Sequence, residues 1–156
     1  MDKKTLEAVF TQILSPNGFK KKRSAWYREV QGVIQGVDLQ RSFYGAQFYV
    51  NLFFVPEGIS VEGMPTPKEY KCPIRIRLTS IIPERCKDID ALFDLEKLHL
   101  SESERISGIQ EVISHILATF LNSLQSNGEL KSAIEKNIFR NGWVNLVAQK
   151  HLSIDP

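Results

Sequence analysis

Apolar and polar residues alternate with a period of two through most of the stretch from Gly18 to Leu78, then recur at spacings of three and four from Ile106 onward. The first rhythm is that of half-buried strands and the second that of helices. Ahead of both, Leu6, Val9, Phe10, Ile13 and Leu14 form one stripe, which predicts a helix over 5–14. Asp2 stands where an N-cap belongs, and Ser15-Pro16-Asn17-Gly18 ends the run. Strands are predicted at 19–29, 33–43 and 47–55, with Gly32 and Gly45 breaking the chain into antiparallel hairpins. In the second, Val33, Gln35, Val37, Leu39, Arg41 and Phe43 share one parity, and Ile34, Asp38, Gln40 and Ser42 the other. The third is apolar on both parities (Phe48, Val50, Leu52 and Phe54 against Tyr49, Asn51, Phe53 and Val55), so it belongs in the middle of the sheet, covered on both sides. A Gly/Pro-rich loop spans Pro56 to Lys71. A fourth strand follows at 74–78, with Ile74, Ile76 and Leu78 opposite Arg75 and Arg77.

After Pro83 the pattern turns helical, with 90–100 reading only as a short helical turn and a loop. Ser101-Glu102-Ser103-Glu104 is a capping box, and Ile106, Ile109, Ile113, Ile116, Leu117, Phe120 and Leu124 extend one helix over 104–124. Asn127-Gly128 stops it, and shorter helices are predicted at 129–139 and 143–151. Strands first and main helices last make a single α+β domain over 1–156: an antiparallel meander of about four or more strands, with the N-terminal helix and the C-terminal helices packed on it. Phe48, Val50, Leu52, Ile76, Ile109, Ile113 and Phe120 are its expected core.

Composition narrows the function classes. The apolar fraction of 42% and charged fraction of 24% are those of an ordinary soluble domain, and a net charge of +2 is too small to coat nucleic acid or a membrane. The charge is uneven: residues 1–30 carry seven Lys/Arg against three Asp/Glu, and residues 84–111 carry four against eight. No apolar h-region follows Met1 and no apolar run is long enough to span a bilayer, so a cytoplasmic location is expected. In that compartment Cys72 and Cys86 are expected as free thiols.

The chemistry-bearing residues form no catalytic signature. His99, His115 and His151 stand apart, and neither cysteine has a second one at ligand spacing, so neither metal nor cofactor is expected. There is no nucleophile elbow and no phosphate loop. Arg41 to Phe48 only superficially resembles an aromatic RNA platform, and Lys20 to Arg23 reads as a lysine-protected edge strand, so nucleic acid is not the expected partner. Alternation places Arg75 and Arg77 on one strand face, with Lys21 and Arg23 joining them if the first strand lies nearby; Asp38, Gln40 and Asn51 are separate candidates that put polar groups on the central sheet. A pair of arginines two apart could grip one anionic group. The commoner fate is pairing with carboxylates, which 84–111 could supply. Asp38, Gln40 and Asn51, if buried, must be hydrogen-bonded, and they would then line a cleft or, more commonly, a structural network.

Asn17-Gly18-Phe19-Lys20-Lys21-Lys22, Trp26-Tyr27-Arg28, Val37-Asp38-Leu39-Gln40-Arg41-Ser42 and Phe48-Tyr49-Val50-Asn51-Leu52 together resemble a bacterial family known as domain of unknown function 4304. Cys72-Pro73-Ile74-Arg75-Ile76-Arg77-Leu78 resembles that family's later strand, with Pro73 where His is expected. The resemblance implies a cytoplasmic bacterial α+β domain and offers no catalytic residue to carry over. The expected function is a non-enzymatic binding or immunity-like module whose partner is another protein or a small anion. The alternative is a hydrolase or nuclease built around Asp38, Gln40, Asn51 and Arg75.

Overall fold

The computed structural model describes residues 1–97 and 99–155. Six strands form one antiparallel sheet in chain order: β1 (Lys20–Lys22), β2 (Ala25–Val30), β3 (Val33–Arg41), β4 (Phe48–Val55), β5 (Ile74–Arg77) and β6 (Trp143–Val144). The helices are α1 (Lys3–Leu14), α2 (Leu78–Ile81), α3 (Cys86–Leu92), α4 (Glu102–Thr119), α5 (Asn127–Glu135) and α6 (Leu146–His151). Each strand pairs with its sequence neighbour, the α+β meander that the alternation predicts.

Local chemistry sets the ends of the elements. Asp2 caps α1 by accepting from the Thr5 amide at 2.8 Å, and Ser101 caps α4 by accepting from the Glu104 amide at 3.1 Å. The β2–β3 hairpin turns on Gln31 and Gly32, both at positive φ (51° and 81°), the two-residue turn whose twist matches its strands. β4 is paired on both edges, by β3 and β5. Its Phe48, Val50, Leu52 and Phe54 face α1 and α4 in one large core, where the expected core residues are all buried. Phe10 lies 5.1 Å from Trp26, and Phe54 lies 5.8 Å from Phe139, ring centre to ring centre. The opposite, outer face carries a smaller cluster, Ala25, Tyr27, Ile34, Phe53, Val55 and Cys72, with Ile59 and Val61 of the 56–73 loop packed against it.

Several elements differ from the sequence reading. The strand expected over 19–29 is a hairpin, with Arg23 at φ 61° between Lys22 and its cross-strand partner Ala25. The Arg23 guanidinium donates to the Tyr27 hydroxyl and to the Thr66 carbonyl, both at 3.0 Å, which holds the turn. The strand predicted at 74–78 stops at Arg77, and Leu78 begins α2. The long helix ends at Thr119, and Leu121–Ser123 forms a 3-10 turn. Gln35, wholly buried, donates to the carbonyls of both Leu121 and Leu124 at 2.8 Å, offering those groups a partner that a continued helix would have supplied. Asn127-Gly128 begins α5 rather than stopping a helix, because Ser126 caps it by accepting from the Glu129 amide at 3.1 Å. Trp143 and Val144 are a strand, not the start of a helix: Gly142 lies against β5 so closely that a Cβ there would sit 2.5 Å from the Arg75 carbonyl oxygen. Asn145 then donates its amide to Pro73 at 2.9 Å and caps α6.

Candidate functional site

Strand register brings most of the singled-out polar residues together on the outer face. Ala25, Asp38, Asn51 and Arg77 form one cross-strand row, and Tyr27, Gly36, Phe53, Arg75 and Trp143 the next. Gln40 and Tyr49 are direct partners beside the first row. Asn51, buried at the centre, donates to Gln40 Oε1 at 2.9 Å and to Asp38 Oδ2 at 3.4 Å. Arg77 donates through Nε to Asn51 Oδ1 at 3.3 Å and through Nη2 to Gln40 Oε1 at 3.2 Å. Asp38, Gln40, Asn51 and Arg77 are therefore one hydrogen-bonded network, which meets the requirement that buried polar groups be paired.

The two arginines lie over aromatic rings. The Arg77 guanidinium lies 4.3 Å from the Tyr49 ring centre, and that of Arg75 lies 4.1 Å from Trp143. Arg75 Nη1 stands 3.8 Å from Glu69 Oε1, an ion pair too long for a hydrogen bond, and the buried Arg75 Nε has no partner. The carboxylate that faces Arg75 thus comes from the loop before β5, not from 84–111 as expected, and Arg77 is matched by amides rather than by an acid.

Beside the network is a cavity of about 470 Å³ lined by Arg23, Ser24, Ala25, Tyr27, Asp38, Gln40, Lys68, Glu69 and Tyr70. Burial pushes the Asp38 carboxyl above its ordinary range, against the hydrogen bond from Asn51 and the charges of Arg23 and Lys3. Burial also raises Glu69, outweighing Arg75, with the charge of Asp38 adding to the rise. Tyr27 is raised for the same first reason, and its hydroxyl donates to the Pro67 carbonyl at 2.8 Å while accepting from Arg23. The site is a pair of desolvated carboxylates walled by cations and phenols.

Of the residues singled out from the sequence, Asp38, Gln40, Asn51, Arg75 and Arg77 meet here, and Arg23 stands on the cavity wall. Lys21 does not. It shares a register row with Trp26, on the helix-covered side, and its ammonium pairs with Glu7 of α1 at 3.1 Å. Sequence reasoning missed Glu69, Lys68, Tyr70 and Trp143. Trp143 becomes part of the face only through the β5–β6 pairing.

His99, His115 and His151 are exposed, and among the described residues no three His, Cys, Asp or Glu side chains gather as a metal would need. Cys72 and Cys86 are unbonded, and burial pushes the Cys72 thiol up to about 12. Among the described residues no helix is long and apolar enough to cross a membrane.

The model of a family described as Domain of unknown function (DUF4304) matches residues 10–123, and the chain belongs to that family. No curated protein and no solved structure matches it. The matched stretch contains Asp38, Gln40, Asn51, Glu69, Arg75 and Arg77; Trp143 lies beyond it.

Proposed function

We propose that this member of the family is a non-enzymatic binding module whose outer sheet face grips an acidic segment of a partner. The observation that carries this reading is the pre-ordering of Arg75 and Arg77, each laid on an aromatic ring and neither in a close ion pair. Side chains already immobilised lose little entropy on binding, and alternate residues of a strand are roughly 7 Å apart along the backbone, the same repeat as alternate side chains of an extended peptide.

Trp143 supplies the readout, because it is half exposed and stacked on Arg75 while Trp26 is wholly buried. Titration with a hexaglutamate peptide should change the emission of Trp143, and Trp143→Phe should remove the signal. Arg75→Gln with Arg77→Gln should abolish the response and lower the melting temperature by no more than a few degrees, the cost of weakening the bonds from Arg77 to Asn51 and Gln40. No response at millimolar peptide, or a melting temperature many degrees lower in the double variant, overturns the reading.

One observation favours a second reading, a hydrolase: Asp38 and Glu69, both raised by burial, share one cavity. Carboxyls tuned upward are what general acid catalysis uses. Turnover of a chromogenic phosphodiester that disappears in Asp38→Asn would favour it over the binding module.

A further inference from the structure

A second, smaller cavity of about 220 Å³ adjoins the one above, and Arg23, Lys68 and Tyr70 line both. Its remaining lining is Lys22, Glu62, Gly63, Thr66 and Lys71. The two compartments differ in charge: Arg23 and Lys68 on the shared wall are joined by Lys22 and Lys71 in the smaller and by two carboxylates, Asp38 and Glu69, in the larger. The smaller holds four cations against one carboxylate, and that carboxylate, Glu62, is taken by Lys71 at 3.0 Å. Arg23 hydrogen-bonds only neutral oxygens, those of Tyr27 and Thr66, so its position is fixed while no carboxylate pairs with it directly. Lys22 and Lys68 have no ion-pair partner among the described residues. The larger compartment holds Asp38 and Glu69, whose closest polar partners are an amide at 3.4 Å and an arginine at 3.8 Å. Neither acid is fully compensated.

Cations and acids in adjoining compartments with a shared wall match a ligand that carries both signs. We infer that the paired cavities bind a small phosphate monoester bearing a primary ammonium group, with the phosphate among Lys22, Arg23, Lys68 and Lys71 and the ammonium against Asp38 and Glu69. A dianionic phosphate suits the smaller compartment because a fixed guanidinium and mobile ammonium groups together supply both geometry and charge. An ammonium suits the larger one because a desolvated carboxylate gains most from a direct cationic partner. Because Arg23, Lys68 and Tyr70 line both compartments, a single ligand can reach from one into the other.

This inference rests on the reading that the outer face is the binding surface, but it uses residues other than Arg75 and Arg77. The test is calorimetric titration of the whole chain with O-phosphoethanolamine, inorganic phosphate and ethanolamine at fixed ionic strength. O-phosphoethanolamine should bind at least tenfold more tightly than either fragment. Lys22→Gln with Lys68→Gln should reduce it to the affinity of ethanolamine, and Asp38→Asn should reduce it to that of phosphate. Lys21→Gln, which removes a cation paired with Glu7 on the helix-covered side, should bind it as the native chain does. Equal affinity for O-phosphoethanolamine and phosphate overturns the inference, as does no binding of any of the three. Retention on phosphatidylethanolamine vesicles without binding of the free compound overturns it too, since it assigns the site to a lipid surface. Hexaglutamate binding without O-phosphoethanolamine binding overturns only this inference. The converse overturns only the peptide reading.

Discussion

Asp38 is the residue at which chemistry and stability meet. Its carboxyl is raised by burial, so the folded state holds its proton more tightly than the unfolded chain does. For a raised acid the cost to folding is present at a pH above the folded value. It fades as pH drops through that value and is gone below the unfolded one, roughly 3.9. Asp38→Asn keeps the shape and the acceptor for Asn51 while removing the charge. It should raise the melting temperature by a few degrees at pH 7, and the gain should vanish near pH 3. A lower melting temperature at pH 7 would mean that Arg23 and Lys3 compensate the charge more than burial penalises it. The same variant is the one expected to lose ammonium binding, so a stabilised fold and a lost ligand would appear together. Cys72 gives a second residue-scale expectation. A buried thiol raised to about 12 is almost never thiolate at pH 8, and the thiolate is the reactive form. In folded protein without reductant a disulfide reagent should leave Cys72 unmodified, while unfolded protein should titrate two thiols.

At the scale of elements, what could be read from the sequence was what repeats. α1, α4, β3 and β4 each contain enough turns or alternations to stand out, although β4, apolar on both parities, showed only that it lies in the middle of the sheet. Asp38, Gln40, Asn51, Arg75 and Arg77 stood out in the sequence one by one as polar positions in strands, but that they meet on one face comes from the cross-strand pairing. Glu69 did not stand out, because it lies in a loop with no period. Trp143 did not, because a two-residue strand has no rhythm of its own and exists only against β5. The β1–β2 turn was hidden for a different reason: a left-handed arginine, not a glycine, makes it. Gly36 shows how close the central pairing is. It sits directly opposite Phe53, whose ring covers it so tightly that a Cβ would fall 1.9 Å from the ring. Gly36→Ala should cost about 1–3 kcal/mol by overpacking, and Phe53→Ala about 3–5 kcal/mol by leaving a cavity. In the double variant the alanine partly fills that cavity, so the two costs should sum to less than their parts in denaturant unfolding. Strict additivity would mean that Phe53 swings aside freely.

At the scale of the whole molecule, the charged segments do not cancel one another. Among the described residues Lys21 pairs with Glu7 and Arg85 with Glu111, each within its own region, and no ion pair joins 1–30 to 84–111. The uneven charge along the chain is therefore not neutralised by ion pairs between the two segments, on a molecule of net charge +2. Packing, by contrast, is continuous, and it extends past the stretch that the family model matches. Leu130, Phe139 and Leu152 lie in the same core as Trp26 and Leu52, and Phe139 closes a ring cluster with Phe54 and Phe120. Asn127 clasps the backbone of Glu57 through two bonds, at 2.8 and 2.9 Å, tying α5 to the end of β4. Burying three such side chains contributes about 1.5–3 kcal/mol each, a sum comparable to the 5–15 kcal/mol that typically holds a whole domain together. Deleting residues 127–156 should therefore abolish the cooperative thermal transition and leave a chain that binds a hydrophobic dye, even though all of 10–123 is present. A sharp transition in the shortened chain, within a few degrees of the original, would show instead that the last two helices and β6 dock on a core already complete without them. In that case Arg75 would keep its fold and lose only the ring of Trp143, which would separate the stability of the sheet from the shape of its binding face.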